Sequence, residues 1–313
     1  MESVRRGDVE EAILATVEMF EEQSEAAATV RSEWRLAVRR LRRNRAAMAG
    51  LIVLVIISLA AVLADVIAIE PENHFDISVG NTPPLTDGYI LGTDDIGRDV
   101  FSRIVRGARI SLRIGFTAVG IAAIIGTLVG LSAGYFGGWI DMSISRVLDV
   151  MLAFPGLLLA LTVIAAIGPG LNNAMIALGI AGIPAYARVV RGTTLAAREL
   201  VYVRAARAMG MSDVRVMARH ILPNILSPIL IMATMGLGGA ILAAAGLSFL
   251  GLGASAPSSE WGLELSNSRH LLRSSWWIST FNGVAIASTV LSINLLGDGL
   301  REALDPQASA WTH

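Results

Sequence analysis

The chain has 313 residues, 54% of them hydrophobic and 16% charged, with a formal net charge of −1. A soluble domain carries about a quarter charged residues; here the few charges fall between long apolar runs, the block pattern that lipid demands because a charge at mid-bilayer is expensive. Without cysteine there are no disulfides, thiolate metal sites or cysteine nucleophiles, without lysine (all 25 basic residues are arginine) no GxxxxGK[ST] phosphate loop, and without a strong net charge no global field for nucleic acid.

Residues 1–45 form a polar arm, acidic first (Glu10, Glu11, Glu18, Glu21, Glu22, Glu25) and then basic, from Arg35 to Arg45. Ile13, Val17 and Phe20 recur at helical spacing, which suits either a regulatory surface helix or a plain solvated extension. The apolar run at 46–69 holds one charge, Asp65, and begins too late for a secretory signal. It is long enough to cross roughly 30 Å of hydrocarbon and reads as the first transmembrane helix. A polar segment at 70–108 follows, containing Pro83-Pro84 and a short arginine-rich amphipathic stretch. The Asp/Arg-rich part, 92–113, reads as a solvated interfacial helix or as a surface for an external partner.

Five further runs lie at about 114–134, 149–168, 171–187, 222–247 and 281–300, so the chain predicts an all-α membrane bundle of about six spans. Pro155 and Pro184 fall within the third and fourth, where neighbouring helices can satisfy freed carbonyls. In the second, Gly126, Gly130 and Gly134 share one helix face and allow a second backbone to approach closely, inside the bundle or in a dimer. Arginine placement favours both termini on the cytoplasmic side, with loops 135–148 and 188–221 inside. Trp34, Trp139, Trp276 and Trp277 fall near span ends, where indole rings prefer the interface. The sixth span carries Ser292 and Asn294, which suit either a translocation pathway or packing between helices. Asp298 and Arg301 stand one turn apart at its end. His74, His220, His270 and His313 form no ligand pair at helical spacing, and Gly251-Leu-Gly253 lacks the βαβ surroundings of a nucleotide site.

Segment 188–222 carries the most information. Residues 198–209 favour helix, Gly210 suits the left-handed position after a helix end, and Ser212 can cap a second helix. Pro223 fits the first turn of the fifth span, where its missing N–H loses no partner. The result is a short helix–turn–helix under the membrane, with Ala205 and Ala206 offering a small flat surface to a partner.

This segment resembles the "EAA" loop (Glu-Ala-Ala-x3-Gly-x9-Ile-x-Leu-Pro) of the membrane subunits of binding-protein-dependent ATP-binding-cassette importers. Ala205, Ala206, Gly210, Leu222 and Pro223 match it, while Arg204 replaces its Glu and His220 its Ile. His-Ile-Leu-Pro-Asn, at 220–224, looks like the variant of peptide and nickel permeases. Residues 91–99 (LGTDDIGRD), 134–141 (GYFGGWID), 247–253 (LSFLGLG) and 294–306 (NLLGDGLREALDP) resemble the dipeptide/oligopeptide permease "C" type. The resemblance runs from about residue 35 to 306.

The resemblance implies a non-catalytic permease of a bacterial plasma-membrane importer for di- and oligopeptides, with a type I importer fold. It implies a homologous second permease subunit, two ATPase subunits and an extracytoplasmic peptide-binding protein as partners. The chain itself is expected to bind no cofactor, with ATP and Mg on the ATPases. Domain 109–303 would be the transporter core, 188–222 its coupling loop and 304–313 a cytoplasmic tail. Arg204, Ala205, Ala206, Gly210, His220, Leu222 and Pro223 would form the ATPase contact. The same machinery with nickel or another small solute, and an ion-coupled carrier, are the alternatives at this point; a carrier calls for paired mid-membrane acids and inverted repeats.

Overall fold

The computed structural model describes residues 36–72 and 74–304. The acidic arm with its Ile13/Val17/Phe20 pattern, Trp34 and the tail from 305 onward lie outside the described residues. Among the described residues the chain is helical, with isolated bridges at Thr86/Tyr89 and Thr93/Asp99 in place of strands.

Helix α1, 36–43, stops at Asn44, whose extended backbone and side chain cap α2, Arg45–Val62, by accepting the N–H of Ala47 at 3.0 Å. The short α3, Ala64–Ile67, prolongs it. After the polar segment, Asp99 caps α4, Val100–Phe136, accepting the N–H of Ser102 at 2.8 Å. The arginine-rich stretch and the second apolar run are thus one helix of 37 residues. At 1.5 Å per residue it extends for about 55 Å and projects beyond the hydrocarbon.

The third run differs from its expected form. It is split into α5, Gly138–Leu152, and α6, Gly156–Ile167, which meet at 95°. Pro155 has no N–H to donate and pushes the preceding residue away from helical geometry, so the helix restarts after it. At 12 residues α6 covers about 18 Å, too short to cross the hydrocarbon alone. Pro184 behaves as expected, buried within the unbroken α7, Leu171–Ala197.

Next come α8, Val201–Ala208, and α9, Asp213–Val216, then α10, Leu226–Phe249, α11, Trp261–Ser268, and α12, Trp276–Leu304. Among the described residues, five helical stretches are long and apolar enough to cross a membrane, and six if the bent α5–α6 pair counts as one. The most extensive packing is α4 on α7. A β-carbon at Gly126 would stand 2.5 Å from Cβ of Tyr186, one at Gly130 2.4 Å from the Ala187 carbonyl, and one at Gly134 2.7 Å from Cβ of Thr194. The glycine face therefore serves packing inside the bundle. Helix α2 lies along α12, where a β-carbon at Gly50 would meet the Ser292 carbonyl at 2.6 Å.

At the end opposite α8 and α9, residues 68–99, the start of α4 and residues 250–275 form a polar cap. Its Asp94, Asp99 and Arg103 are buried, so the reading of 92–113 as a solvated helix does not hold. Arg103 Nη2 donates to Glu264 Oε1 at 2.6 Å and to the Ser258 carbonyl at 2.9 Å, with both charged side chains 3% exposed. The indole of Trp261 donates to the Ile104 carbonyl at 3.0 Å, and Gly107 gives it room. Glu260 caps α11 through the N–H groups of Gly262 and Leu263; burial nevertheless raises its carboxyl pKa. Gly251, at φ +79°, turns the chain after α10, which settles the Gly251–Gly253 motif as a helix-ending turn.

Candidate functional site: the segment between α7 and α10

Helix α7 ends at Ala197, and Arg198 folds back so that its guanidinium donates to the Gly134 carbonyl at 2.9 Å. The chain then re-enters helix at Val201. Helix α8 closes in a Schellman turn: Gly210 N–H donates to the Arg207 carbonyl at 3.0 Å and Met211 N–H to the Ala206 carbonyl at 3.2 Å. Gly210 sits at φ +79°, and a β-carbon there would meet nothing within 4 Å. The constraint on this residue is conformational, not steric.

Ser212 occupies the N-cap position of α9, but its side chain makes no capping bond. Asp213, in the first turn, instead places a carboxylate near the helix N-terminus. Its Oδ1 also accepts the Tyr135 hydroxyl at 2.5 Å. Across the same ring, the Arg207 guanidinium stands 5.2 Å from the Tyr135 centroid, a cation–π contact. Tyr135 thus joins both short helices to the end of α4.

From Asp213 to Phe249 the chain forms one helical rod of 37 residues. Pro223 does not start it. It lies inside, in a 3-10 turn at Leu222–Ile225, preceded by a π turn at Met217–Ile221. Proline removes one N–H, the wider and tighter turns take up the misfit, and Asn224 Nδ2 donates to the His220 carbonyl at 2.6 Å.

One side of the segment is apolar. Val203, Ala206, Val216, Ile221 and Ile225 pack with Leu131, Tyr135, Val190 and Ala197 from the ends of α4 and α7, and Leu222 lies partly buried against them. The two alanines therefore part company: Ala206 faces this core while Ala205 is exposed, beside the exposed Arg204. His220 is half-buried, its ring 6.3 Å from that of Tyr202, and its Nε2 is buried without a hydrogen-bond partner. Burial raises the Tyr202 phenol pKa, while a bond with Asn224 works the other way. The outward surface comprises Arg204, Ala205, Gly210 and Pro223.

Helix α5 braces the same end, with ion pairs Asp141–Arg191 and Asp149–Arg188 to α7. The motif at 134–141 so acquires a purpose: Tyr135 holds Asp213 and Asp141 holds Arg191. Ser292 and Asn294 lie far from this segment along α12 and do not share a surface. Ser292 is buried on the α2 side, while Asn294 is exposed in a stripe with Val284, Ala287, Leu291 and Asp298.

The described residues thus form an integral-membrane helical bundle that carries a surface helix–turn–helix between α7 and α10. The model for the "Binding-protein-dependent transport system inner membrane component" matches residues 126–310, and that for the "N-terminal TM domain of oligopeptide transport permease C" matches 32–84. A dipeptide transport system permease protein DppC of Alkalihalophilus pseudofirmus is 48% identical over 279 residues, covering 89% of this chain and 91% of its own. A glutathione transport system permease protein GsiD of Pectobacterium atrosepticum is 45% identical over 297 residues, covering 95% and 97%. A solved structure titled "Inward facing conformations of the MetNI methionine ABC transporter" shares the fold at TM-score 0.50 and 21% identity, covering 65% of this chain and 97% of that one. The chain belongs to the family of binding-protein-dependent transport system inner membrane components, and is a multi-pass membrane permease subunit of an ATP-binding-cassette importer.

Proposed function

We propose that this subunit forms part of the translocation pathway for di- and oligopeptides, energised by separate ATPase subunits that dock on residues 198–224. The observation that carries the reading is the unbroken helical rod from Asp213 to Phe249. Force applied to α9 travels along one continuous helical stretch into a membrane-length helix, and through Tyr135, which holds both Asp213 and Arg207 of α8, it also reaches α4. Such a lever suits a two-state rearrangement biased by nucleotide on a partner. The relatives' names, dipeptide and glutathione permeases, support short peptides as cargo.

In this reading Arg204, Ala205, Gly210 and Pro223 meet the ATPase directly. Ala206, Leu222 and His220 hold the contact surface from behind. ATP and Mg²⁺ bind on the ATPases, two of them, alongside a homologous second permease and an extracytoplasmic peptide-binding protein. The face bearing α1, α8 and the end of α12 is cytoplasmic, so both termini are inside. Asn294, whose carboxamide follows Val284, Ala287 and Leu291 in an exposed stripe that ends at Asp298, is the better pathway residue; Ser292 supports it through the packing of α2 on α12. Uptake of labelled dipeptides by a deletion strain, with and without the partner genes, tests the assignment. Uptake restored by this chain alone, with no ATPase present, would overturn it.

A further inference from the structure

The arginine run that precedes the first span has a geometry of its own. In α1, Ala37 is buried, and Leu41 is partly buried against the C-terminal turns of α12, with its Cδ1 3.2 Å from where a β-carbon on Gly299 would stand. Asn44, three residues on, donates to Glu302 Oε2 at 2.8 Å. These positions share one helical face and fasten the helix to the bundle. The opposite face carries Arg39, Arg42 and Arg43, all exposed, with Leu36 and Val38 exposed at 43% and 48%. Arg40 is half-buried and Arg45, at the first turn of α2, is exposed. Among the described residues the ion pairs involve none of these five arginines.

Position sets the chemistry of the neighbour. Helix α2 begins at Arg45 and is a membrane span, so α1 lies at the depth of lipid headgroups. An outward face of guanidinium groups interleaved with aliphatic side chains is the composition of a helix lying in that layer. Guanidinium also offers paired N–H donors that match phosphate oxygens, a fit that an ammonium lacks. We infer that α1 and Arg45 form a docking surface for anionic phospholipid headgroups, pinned in place by the Leu41–Gly299 and Asn44–Glu302 contacts. The inference requires only that α2 spans the membrane and is independent of the cargo and of ATPase docking.

Full-length protein in vesicles of phosphatidylcholine carrying a photoactivatable phosphatidylglycerol tests it, with the matching phosphatidylcholine probe in a second set. Each basic residue engaged at an anionic surface contributes roughly fivefold, so one to two of these arginines engaged at a time give about tenfold. The expected result is phosphatidylglycerol adducts concentrated on residues 36–45, at about ten times the yield of the zwitterionic probe. The triple substitution Arg39→Gln, Arg42→Gln and Arg43→Gln should lower the anionic adducts about tenfold and leave the zwitterionic yield unchanged. Equal labelling by both probes, or anionic adducts that avoid this helix, overturns the inference. If the triple variant does not insert, the wild-type comparison of the two probes decides alone. Inorganic phosphate, added at matched ionic strength, should leave labelling intact; displacement by it would mark a free-phosphate site and refute the headgroup assignment.

Discussion

Gly210 and Tyr135 act on the same segment by different physics. At Gly210 the left-handed backbone costs about 1–2 kcal/mol for an ordinary L-residue and less for asparagine. Since a β-carbon would touch nothing there, Gly210→Asn should retain transport. Gly210→Val should insert yet hydrolyse ATP without uptake, measured as phosphate release against peptide accumulation in proteoliposomes holding the complete complex. Equal transport by both variants would remove the turn from the coupling pathway. Tyr135→Phe keeps the ring under Arg207 but deletes the bond to Asp213. A loss of about 1–2 kcal/mol in local stability follows, seen as faster hydrogen exchange over 201–216 with the spans unchanged. The requirement at Gly210 is legible in the sequence because it depends on neighbours within a few residues. The role of Tyr135 is not, because its acceptor lies 78 residues away and nothing local distinguishes it from an interfacial tyrosine.

Helices were legible where one property ran through the whole segment. The glycine face of α4 announces close approach, although only the structure names α7 as the helix that approaches. Gly130→Val should separate the two helices, since its β-carbon would meet a backbone carbonyl that has no rotamer to retreat into. Gly120 faces open space on the same helix. Gly120→Ala should leave the melting temperature in detergent unchanged or raise it, by up to about 1 kcal/mol of helix propensity, whereas Gly130→Val lowers it sharply. Similar behaviour of the two variants would sink the packing argument. The prolines show where sequence reading stops. Pro155 and Pro184 both sit in apolar runs, yet one ends a helix at a 95° bend and the other is absorbed in α7. Whether a freed carbonyl finds another donor depends on tertiary neighbours, which a one-dimensional pattern does not contain.

For the molecule as a whole, the membrane class and the family were legible from hydropathy and motif order, while the polar cap was not. Charges at 92–113 look solvated because the carboxylate that meets Arg103 lies 161 residues further on. Arg103→Met would leave Glu264 buried without its counter-ion, at a cost of about 3–5 kcal/mol. The double substitution Arg103→Met with Glu264→Leu should recover much of that loss, because neither charge then remains. Thermal unfolding of the two variants in detergent measures the difference, and a double variant no better than the single one would show that the ion pair does not organise the cap.

The same separation along the chain has a consequence for biosynthesis. While the ribosome is still making the fifth span, Arg103 has already been incorporated and Glu264 has not yet been translated. The Arg103–Glu264 pair therefore closes only near the end of translation, and a polypeptide truncated before Glu264 would leave Arg103 without its carboxylate partner.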